Sequence, residues 1–562
     1  MARRAALLVA VLTGCVLLAP HSTAAAPGKA LTQRGRWLVD AHGRVVVLHG
    51  VNQVSKLEAD GYLPSRVGFG DDDAAAIASM GFNTVRTGFH HAGLTPAPGN
   101  NSAAYLADLK ATVRQLTRRG IHVLIDYHQD MYNERYQGNG MADWATVDSV
   151  PGDPTLLPAC NLGFPGNMFA CPPLWEAYDR FFGLAGRTPE VGPRGKTLQA
   201  EFAESWVAVA NALKDEPGVF GYDIYNEPHP GSQVLACLNP NGCPPGADTA
   251  LTAFSRLVTD AIRKVDPKTV VYYEPYGPNF NPGFPTTHGD IGAGPAGFSF
   301  HNYACPSSIS PVVLPKPITD QCATLGERRV FELANQQADK YDDTLLLTEF
   351  GASDDLNTID RLADLADAAM VGWQYWAWWN ADPCCARPAE GIIDDPKNPP
   401  TAAHLDQPKL DVLVRPYPRV VAGVPTRWSW DETAKRFELS FSTERIGGGT
   451  FTANAETEVW VPRRHFPAGY RVVELSGGRV VSAPGAEALR LRTLPGASSV
   501  SLAVVPGTTA PGPGPGGTLG PDPGTGGQGD GGLPGTGALP LTALGALSLL
   551  LAGRLVLRRD SR

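Results

Sequence analysis

The 562-residue chain is poor in charge and has no excess of basic residues. Charged residues make up only 18% of it, and 56 acidic against 47 basic side chains give a formal net charge of -9. This balance disfavours a nucleic-acid-binding protein that needs a broad basic face. The chain also lacks a CxxC pair or any His/Cys cluster at zinc-ligand spacing, so we expect no metal site. Hydrophobic residues make up 43%, which excludes global disorder.

The first 26 residues have the pattern of a secretory signal peptide. Two arginines near the start precede an apolar run over residues 5–18, and three alanines follow at residues 24–26. A basic start, a short apolar core and small residues at the exit are typical of a segment that is removed on export. The tetrapeptide 12–15 also resembles a bacterial lipoprotein signal, although the apolar run continues beyond Cys15. We expect cleavage near residue 26.

The other end of the chain predicts a surface anchor. Of the 32 residues from 506 to 537, 21 are glycine or proline, so we assign residues 506–532 to a linker. Residues 533–562 resemble a sortase cell-wall sorting signal, with a Leu-Pro-Gly-Thr-Gly motif, a hydrophobic segment over 538–557 and a basic tail. That resemblance implies cleavage between Thr536 and Gly537, with sortase and peptidoglycan as partners. A plain C-terminal membrane anchor is the alternative. Both interpretations predict a secreted protein held at the bacterial surface.

An extracellular location favours disulfide bonds. Eight cysteines remain when Cys15 is removed with the signal peptide. Sequence-close pairs offer plausible loop staples, although spacing alone does not fix the connectivity: Cys160 with Cys171, Cys237 with Cys243, and Cys305 with Cys322. The adjacent Cys384 and Cys385 leave both a vicinal bond and bonds elsewhere open.

Residues 31–410 alternate short β-rich runs with amphipathic helices. Such alternation predicts parallel strands with crossover helices, and eight runs predict an α/β fold of the (β/α)8 TIM-barrel type. The eight predicted strands are 45–51, 84–87, 122–127, 219–225, 270–274, 299–303, 345–349 and 372–378. The longest insertion, between residues 129 and 197, is typical of a functional loop.

Residues 416–505 show a different pattern, with short alternating runs separated by glycine and proline. These predict a small C-terminal β-sandwich. Its predicted strands are 437–442, 457–461, 470–475, 488–491 and 500–505. No carboxylate pair or nucleophile array occurs there, so we expect a structural or surface-binding module.

Polar and aromatic residues replace aliphatic ones at the end of most predicted barrel strands. In a TIM barrel these ends meet at one rim, where catalytic groups lie. Two of them are glutamates directly after apolar strands, Glu227 and Glu349. A buried carboxylate is costly unless it has partners or a function, and two carboxylates across a sugar are sufficient for glycoside hydrolysis without a cofactor. Arg86 could keep Glu349 ionised, while Asn226 could bind the sugar 2-hydroxyl.

The motifs at these strand ends resemble glycoside hydrolase family 5, and more narrowly the endoglycoceramidases. The supporting residues are Arg86, Asn226-Glu227-Pro228, His301-x-Tyr303, Glu349, and the stretches 48–52, 81–86, 126–130, 372–376, 416–418 and 421–423. The resemblance spans about residues 31–505. It implies a retaining enzyme with Glu227 as acid/base and Glu349 as nucleophile. It also implies a set of substrate-binding residues: Lys56, Arg86, His128, Asp130, Asn226, His301, Tyr303 and Trp376.

The function predicted by this resemblance is release of intact oligosaccharide from ceramide in glycosphingolipids. The loop at residues 52–59 differs from what we expect for glucosyl-linked gangliosides, which leaves the sugar next to ceramide open. The alternatives are a related family 5 enzyme acting on glucosylceramide, galactosyl-linked ceramide, steryl glucoside or a β-glucan, and a surface adhesin that binds glycolipid without cleaving it. We expect a monomer that meets its substrate at a membrane or micelle surface.

Overall fold

The protein contains a closed eight-stranded parallel barrel, as the sequence predicts. The computed structural model describes residues 31–305, 321, 326–379 and 390–507. Eight consecutive strands close the barrel, and the last pairs with the first. They are β4 (His49–Gln53), β5 (Thr84–Phe89), β6 (His122–Tyr127), β7 (Val219–Asp223), β8 (Val270–Tyr273), β9 (Ala296–Asn302), β10 (Thr344–Phe350) and β11 (Gly372–Tyr375).

Helices cover the outside of this barrel between the strands. Several begin at a side chain that satisfies the unpaired amides of the first turn. Ser102 accepts a hydrogen bond from the Tyr105 N–H, and Thr197 accepts one from the Ala200 N–H. The described α-helices are Pro64–Val67, Asp71–Ser79, His91–Leu94, Ala103–Thr117, Gly166–Ala170, Pro172–Phe182, Leu198–Leu213, Val234–Cys237, Pro245–Arg263, Gly277–Phe280, Arg328–Tyr341, Leu356–Ala369 and Gln407–Leu413.

Two antiparallel sheets, of seven and four strands, form the C-terminal part of the fold. The larger sheet also takes in three strands from the start of the described chain: β1 (Thr32–Arg34), β2 (Trp37–Val39) and β3 (Val45–Val46). The strands after the barrel are β12 (Tyr417–Val421), β13 (Val424–Asp431), β14 (Arg436–Ser442), β15 (Glu456–Trp460), β16 (Tyr470–Ser476), β17 (Gly478–Val480), β18 (Ala488–Thr493) and β19 (Ser499–Pro506).

The predicted strand 45–51 is two strands that belong to different sheets. Val45 and Val46 pair antiparallel with Val421 and Val420 of β12, whereas β4 pairs parallel with its barrel neighbours. Every side chain from Val45 to Val51 is buried, so the hydrophobic pattern does not change where the chain passes from one sheet to the other. Only the pairing partners distinguish the two strands.

The long insertion after β6 packs on the barrel and is stapled by a disulfide. Cys160 is bonded to Cys171, and Cys237 is bonded to Cys243 in the following loop, as the spacing indicated. The suggested Cys305–Cys322 pair involves Cys322, which lies outside the described residues, as do Cys384 and Cys385.

The targeting and anchoring segments also lie outside the described residues. These are the signal peptide 1–26, nearly all of the linker 506–532, and the sorting signal 533–562 with Thr536 and Gly537. Within the described part of the chain, no helix has the length and apolar character needed to cross a membrane.

Candidate active site

The predicted catalytic and substrate-binding residues all lie at the carboxyl-terminal rim of the barrel. Arg86 lies within β5, His301 within β9 and Glu349 within β10, and the others follow strand ends. One carboxylate oxygen each of Glu227 and Glu349, together with a ring nitrogen of His301, lie within 4.8 Å of one another. The rim therefore brings together two glutamates that are far apart in sequence.

Arg86 is the centre of the site. The fully buried guanidinium contacts Glu349 Oε1 through Nη1 at 2.7 Å and Asn226 Oδ1 through Nη2 at 2.9 Å. It also contacts three further carboxylates: Asp126 at 2.8 Å, Asp223 at 3.0 Å and Glu274 at 3.0 Å. One cation thus faces four carboxylates in a place that water does not reach.

This imbalance raises carboxyl pKa values in the cluster, because burial and like charges oppose ionisation. Burial raises the pKa of Asp126 well above its usual range, although Arg86 opposes the shift. Burial likewise raises the pKa of Glu274 to about 7. The pKa of Glu349 is also raised by burial, and the positive charges of His301 and Arg86 limit the increase.

His301 joins the two predicted catalytic glutamates. Its Nδ1 lies 2.7 Å from Glu227 Oε1 and 3.6 Å from Glu349 Oε2. Burial lowers the pKa of this histidine, but the carboxylates of Glu274 and Glu349 outweigh burial and raise it well above its usual range. The 2.7 Å contact between His301 Nδ1 and Glu227 Oε1 is therefore one in which the ring N–H donates and the carboxyl oxygen accepts.

Tyr303 and Asn281 complete the hydrogen bonds to the two glutamates. The Tyr303 hydroxyl donates to Glu349 Oε2 at 3.2 Å. The Asn281 side chain donates to Glu227 Oε1 at 2.6 Å. Both carboxylates are thus held in fixed orientations before any substrate binds, which is the condition for effective catalysis by proximity.

The remaining predicted residues form a second cluster along the same rim. The Lys56 ammonium lies 2.6 Å from Asp130 Oδ2 and 4.5 Å from the ring centre of Trp376. The His128 ring stacks on Trp376 with centroids 5.1 Å apart, and its Nδ1 lies 2.8 Å from Asp126. Since Asp126 also binds Arg86, it links this cluster to the carboxylate pair.

The charges in the second cluster are strongly coupled. Burial opposes ionisation of Asp130, but Lys56 and His128 outweigh burial and hold the pKa of this carboxyl far below its usual range. Burial, supported by the charge of Lys56, lowers the pKa of His128 well below its usual range. The cluster therefore holds the Lys56–Asp130 ion pair beside the imidazole of His128 and the indole of Trp376.

Sequence reasoning missed several residues that hold the site. Asp223 and Glu274 are buried carboxylates at the ends of β7 and β8. The predicted strand 270–274 ends in Glu274, so its place at a strand end is a signal by which the sequence could have identified it. Gln129 donates to the backbone carbonyls of Asn226 and Glu227 at 2.8 and 3.0 Å. Tyr178, from the long insertion, donates to Gln129 Oε1 at 2.7 Å, so the insertion supports the loop that carries Glu227.

Glu227, His301 and Glu349 also have the spacing of a three-ligand metal site. The oxygens of both glutamates already have protein partners, since the Asn281 side chain donates to Glu227 Oε1 and the Tyr303 hydroxyl donates to Glu349 Oε2. Arg86 also contacts Glu349 directly. The arrangement fits a carboxylate pair held by two cationic side chains better than it fits a metal centre.

Models of two known protein families match this chain. The model of cellulase (glycosyl hydrolase family 5) matches residues 39–382, and that of the glycoside hydrolase family 5 C-terminal domain matches residues 415–504. The chain belongs to glycoside hydrolase family 5. The two matches cover the barrel and the antiparallel sheets that follow it, so the resemblance predicted from the strand-end motifs is confirmed.

Several proteins that are similar to this chain over most of its length are endoglycoceramidases. Endoglycoceramidase I of Rhodococcus hoagii (strain 103S) is 32% identical over 476 residues, which are 82% of this chain and 85% of that protein. An endoglycoceramidase of Cyanea nozakii is 27% identical over 419 residues, 72% of this chain and 79% of that protein. The structure of endo-glycoceramidase II from Rhodococcus sp. is 28% identical in sequence to this chain and superposes with a TM-score of 0.66. The match covers 84% of this chain and 100% of the Rhodococcus chain.

The solved relative also bears on the reaction. Endo-glycoceramidase II has been captured as a lactosyl-enzyme intermediate and as a complex with ganglioside GM3. A covalent glycosyl-enzyme is the mark of a retaining mechanism, in which the two carboxyl groups lie about 5–5.5 Å apart. The 4.8 Å limit on the carboxylate oxygens of this family 5 chain fits that class. The protein is a retaining glycoside hydrolase.

Proposed function

We propose that this protein is an endoglycoceramidase, a retaining endo-β-glycosidase that hydrolyses the bond between oligosaccharide and ceramide in glycosphingolipids. The observation that carries the proposal is the close approach of the Glu227 and Glu349 carboxylates at the rim. The lipid-linked substrate is supported by the relatives, which match most of the chain under that name.

In the proposed reaction Glu349 is the nucleophile. Attack on the anomeric carbon requires an ionised carboxylate, and Glu349 has the guanidinium of Arg86 at 2.7 Å and the hydroxyl of Tyr303 at 3.2 Å to stabilise that form. The attack forms a covalent glycosyl-enzyme and breaks the bond to ceramide. Both contacts are stronger to the ionised carboxylate than to the glycosyl ester. They therefore also favour breakage of the bond between Glu349 and the sugar in the second step.

Glu227 is the proposed acid/base. It gives its proton to the departing ceramide oxygen, and in the second step it takes a proton from the water that attacks the glycosyl-enzyme. Hydrogen bonds from His301 and Asn281 hold one of its oxygens in place. The second cluster, with Lys56, Asp130, His128 and Trp376, is proposed to bind the sugar on the non-reducing side, and Asn226 the 2-hydroxyl.

The test is product release from purified ganglioside GM3 in detergent micelles, followed by chromatography. We expect free intact oligosaccharide and ceramide. Glu227→Gln and Glu349→Gln should each lower turnover by at least about 100-fold, the usual contribution of such a group, without changing the thermal unfolding transition. Near-normal turnover in either variant would contradict its assigned role.

A substrate panel separates the alternatives. Glucosylceramide, galactosylceramide, a steryl glucoside and a β-glucan are offered under the same conditions. Cleavage of the β-glucan alone would refute the ceramide proposal. Binding of GM3 without cleavage would instead indicate a glycolipid-binding adhesin.

We also propose that the enzyme is secreted, cut between Thr536 and Gly537, and linked to the cell wall through the carbonyl group of Thr536. The support is the sequence pattern at the two ends of the chain. In a Gram-positive host with sortase, the processed chain that ends at Thr536 should be released only by wall-digesting enzymes. Thr536→Ala should abolish this linkage, whereas Gly535→Ala, at the variable position of the motif, should keep it. A membrane-bound chain that is unaffected by Thr536→Ala would favour the membrane anchor.

A further inference from the structure

Glu274 is a buried carboxylate directly beneath the catalytic pair, and the proposed reaction does not use it. It follows β8, and its side chain is only 2% exposed. A carboxylate in such a place is costly unless it makes several polar contacts. Those contacts converge on Glu227.

The first contact is with the backbone of Glu227. The Glu227 N–H donates to Glu274 Oε2 at 2.8 Å. At this point the chain has a φ of +42°, a left-handed conformation that residues with a side chain rarely adopt and that persists only where the surroundings enforce it. Glu274 on the amide side and Gln129 on the carbonyl side supply that enforcement.

The second contact reaches the Glu227 side chain through His301. Glu274 Oε1 lies 3.4 Å from His301 Nε2, while the other ring nitrogen of His301 bonds to Glu227 Oε1. The same Glu274 oxygen accepts a hydrogen bond from Arg86 at 3.0 Å. One carboxylate therefore accepts a hydrogen bond from the main chain of Glu227 and lies within ion-pair distance of the ring that contacts the Glu227 side chain.

We propose that Glu274 is a positioning residue that orients Glu227 as the proton donor for the leaving group. It acts through the Glu227 amide and through the His301 ring, and it does not touch the sugar. This inference rests on the proposed acid/base role of Glu227. It predicts a defect confined to the step in which the leaving oxygen receives a proton.

A pair of substrates isolates that step. A 2,4-dinitrophenyl β-lactoside has a leaving group that departs as a stable anion and needs no proton, whereas an octyl β-lactoside has an alkoxide leaving group that does. The quantity compared is kcat/KM, which reports the first chemical step, formation of the glycosyl-enzyme. A general acid matters for the octyl substrate and hardly for the dinitrophenyl one.

The main variant is Glu274→Gln. An amide cannot accept at both positions: its NH2 group must face either the Glu227 N–H or the N–H groups of Arg86 and His301. We expect kcat/KM on the octyl lactoside to fall roughly 50-fold or more, within the range of general-acid contributions. We expect kcat/KM on the dinitrophenyl lactoside to fall no further than it does in Asp223→Asn, because each variant removes one carboxylate from Arg86.

Asp223→Asn is the matched control. Asp223 is equally buried, accepts from Arg86 Nε at 3.0 Å and accepts from Ser299 Oγ at 3.0 Å, but its described contacts do not include Glu227. Its loss acts on Arg86 and hence on Glu349, which both substrates need. We expect the two kcat/KM values to fall together in this variant.

A second variant keeps the comparison decisive if Glu274→Gln lacks a native unfolding transition. Glu274→Asp keeps the charge but withdraws the oxygens by one methylene, and it should show the same selective loss. An equal loss on both lactosides, or no loss on either, would overturn the inference. If the wild-type enzyme cleaves neither lactoside, the proposed oligosaccharide preference is what fails, and the same two leaving groups on β-glucose or β-galactose then test Glu274.

Discussion

Adding a single methyl group at Gly277 should impair Glu227, the proposed acid/base, without damaging the rest of the fold. Gly277 begins the short helix Gly277–Phe280 after β8, and its N–H donates to the Pro228 carbonyl at 3.0 Å. A Cβ built on Gly277 would lie 2.9 Å from Glu227 Cβ, 3.2 Å from its Cγ and 3.3 Å from its Cδ. The added methyl group would therefore press along the length of the Glu227 side chain.

The size of the effect follows from these distances. Carbon atoms in contact are about 3.5–4.0 Å apart, so Gly277→Ala requires Glu227 to retreat by roughly 0.6–1 Å. A misplacement of about 1 Å can cost around 100-fold in rate. We expect kcat/KM on an octyl β-lactoside to fall about 10- to 100-fold on that basis. The overpacking should lower the free energy of unfolding by no more than about 1–3 kcal/mol.

The assay measures kcat/KM on the octyl and dinitrophenyl lactosides together with thermal unfolding. Gly246→Ala is the control, because Gly246 lies in the first turn of the helix Pro245–Arg263 and a Cβ there meets no atom within 4 Å. That variant should keep wild-type kcat/KM. Wild-type activity in Gly277→Ala, or a loss as large in Gly246→Ala, would refute the reasoning.

Three further predictions concern pH, sugar binding and the insertion. Burial raises the pKa of Glu349 above its ordinary value of 4.5, and Glu349 must be ionised to act as the proposed nucleophile. The value of kcat/KM should therefore fall with decreasing pH through a pKa above 4.5, and an acidic limb at or below that value would contradict this. Lys56→Met removes the ammonium 2.6 Å from Asp130 and should raise KM about 10- to 100-fold, as expected for a lost charged hydrogen bond, with a smaller change in kcat; a purely kcat effect would argue against a binding role. Cys160→Ser combined with Cys171→Ser removes a disulfide between residues 11 positions apart, and the loss of this loop constraint should lower the free energy of unfolding by about 3 kcal/mol. Limited proteolysis should then cut the insertion first, and unchanged protease resistance would contradict a stabilising role for this disulfide.

The amino-acid sequence was sufficient to predict the barrel and most of the residues at its carboxyl-terminal rim. Apolar runs that alternate with amphipathic helices determine parallel strands, and the residue that ends each run lies at the catalytic edge because all carboxyl ends of parallel strands point the same way. Glu227, His301 and Glu349 could be identified by this local rule. It failed for Asp223 and Glu274 only because buried carboxylates at strand ends look alike whether they face substrate or an arginine.

Other features had no local signal. The chain passes from the C-terminal sheet to the barrel within the buried run Val45–Val51, where no residue marks the change. Tyr178 acts from the insertion on Gln129, which in turn binds the backbone of Glu227, and no spacing in the sequence relates Tyr178 to that backbone.

By itself, the sequence determined which residues stand at the rim and which reaction class their chemistry allows. The tertiary structure alone decided that Arg86 shares its charge among four carboxylates, and that two glutamates 122 positions apart approach within 4.8 Å. The physical reason is that electrostatic coupling depends on distance through space and on burial. Both quantities are set only when the barrel closes.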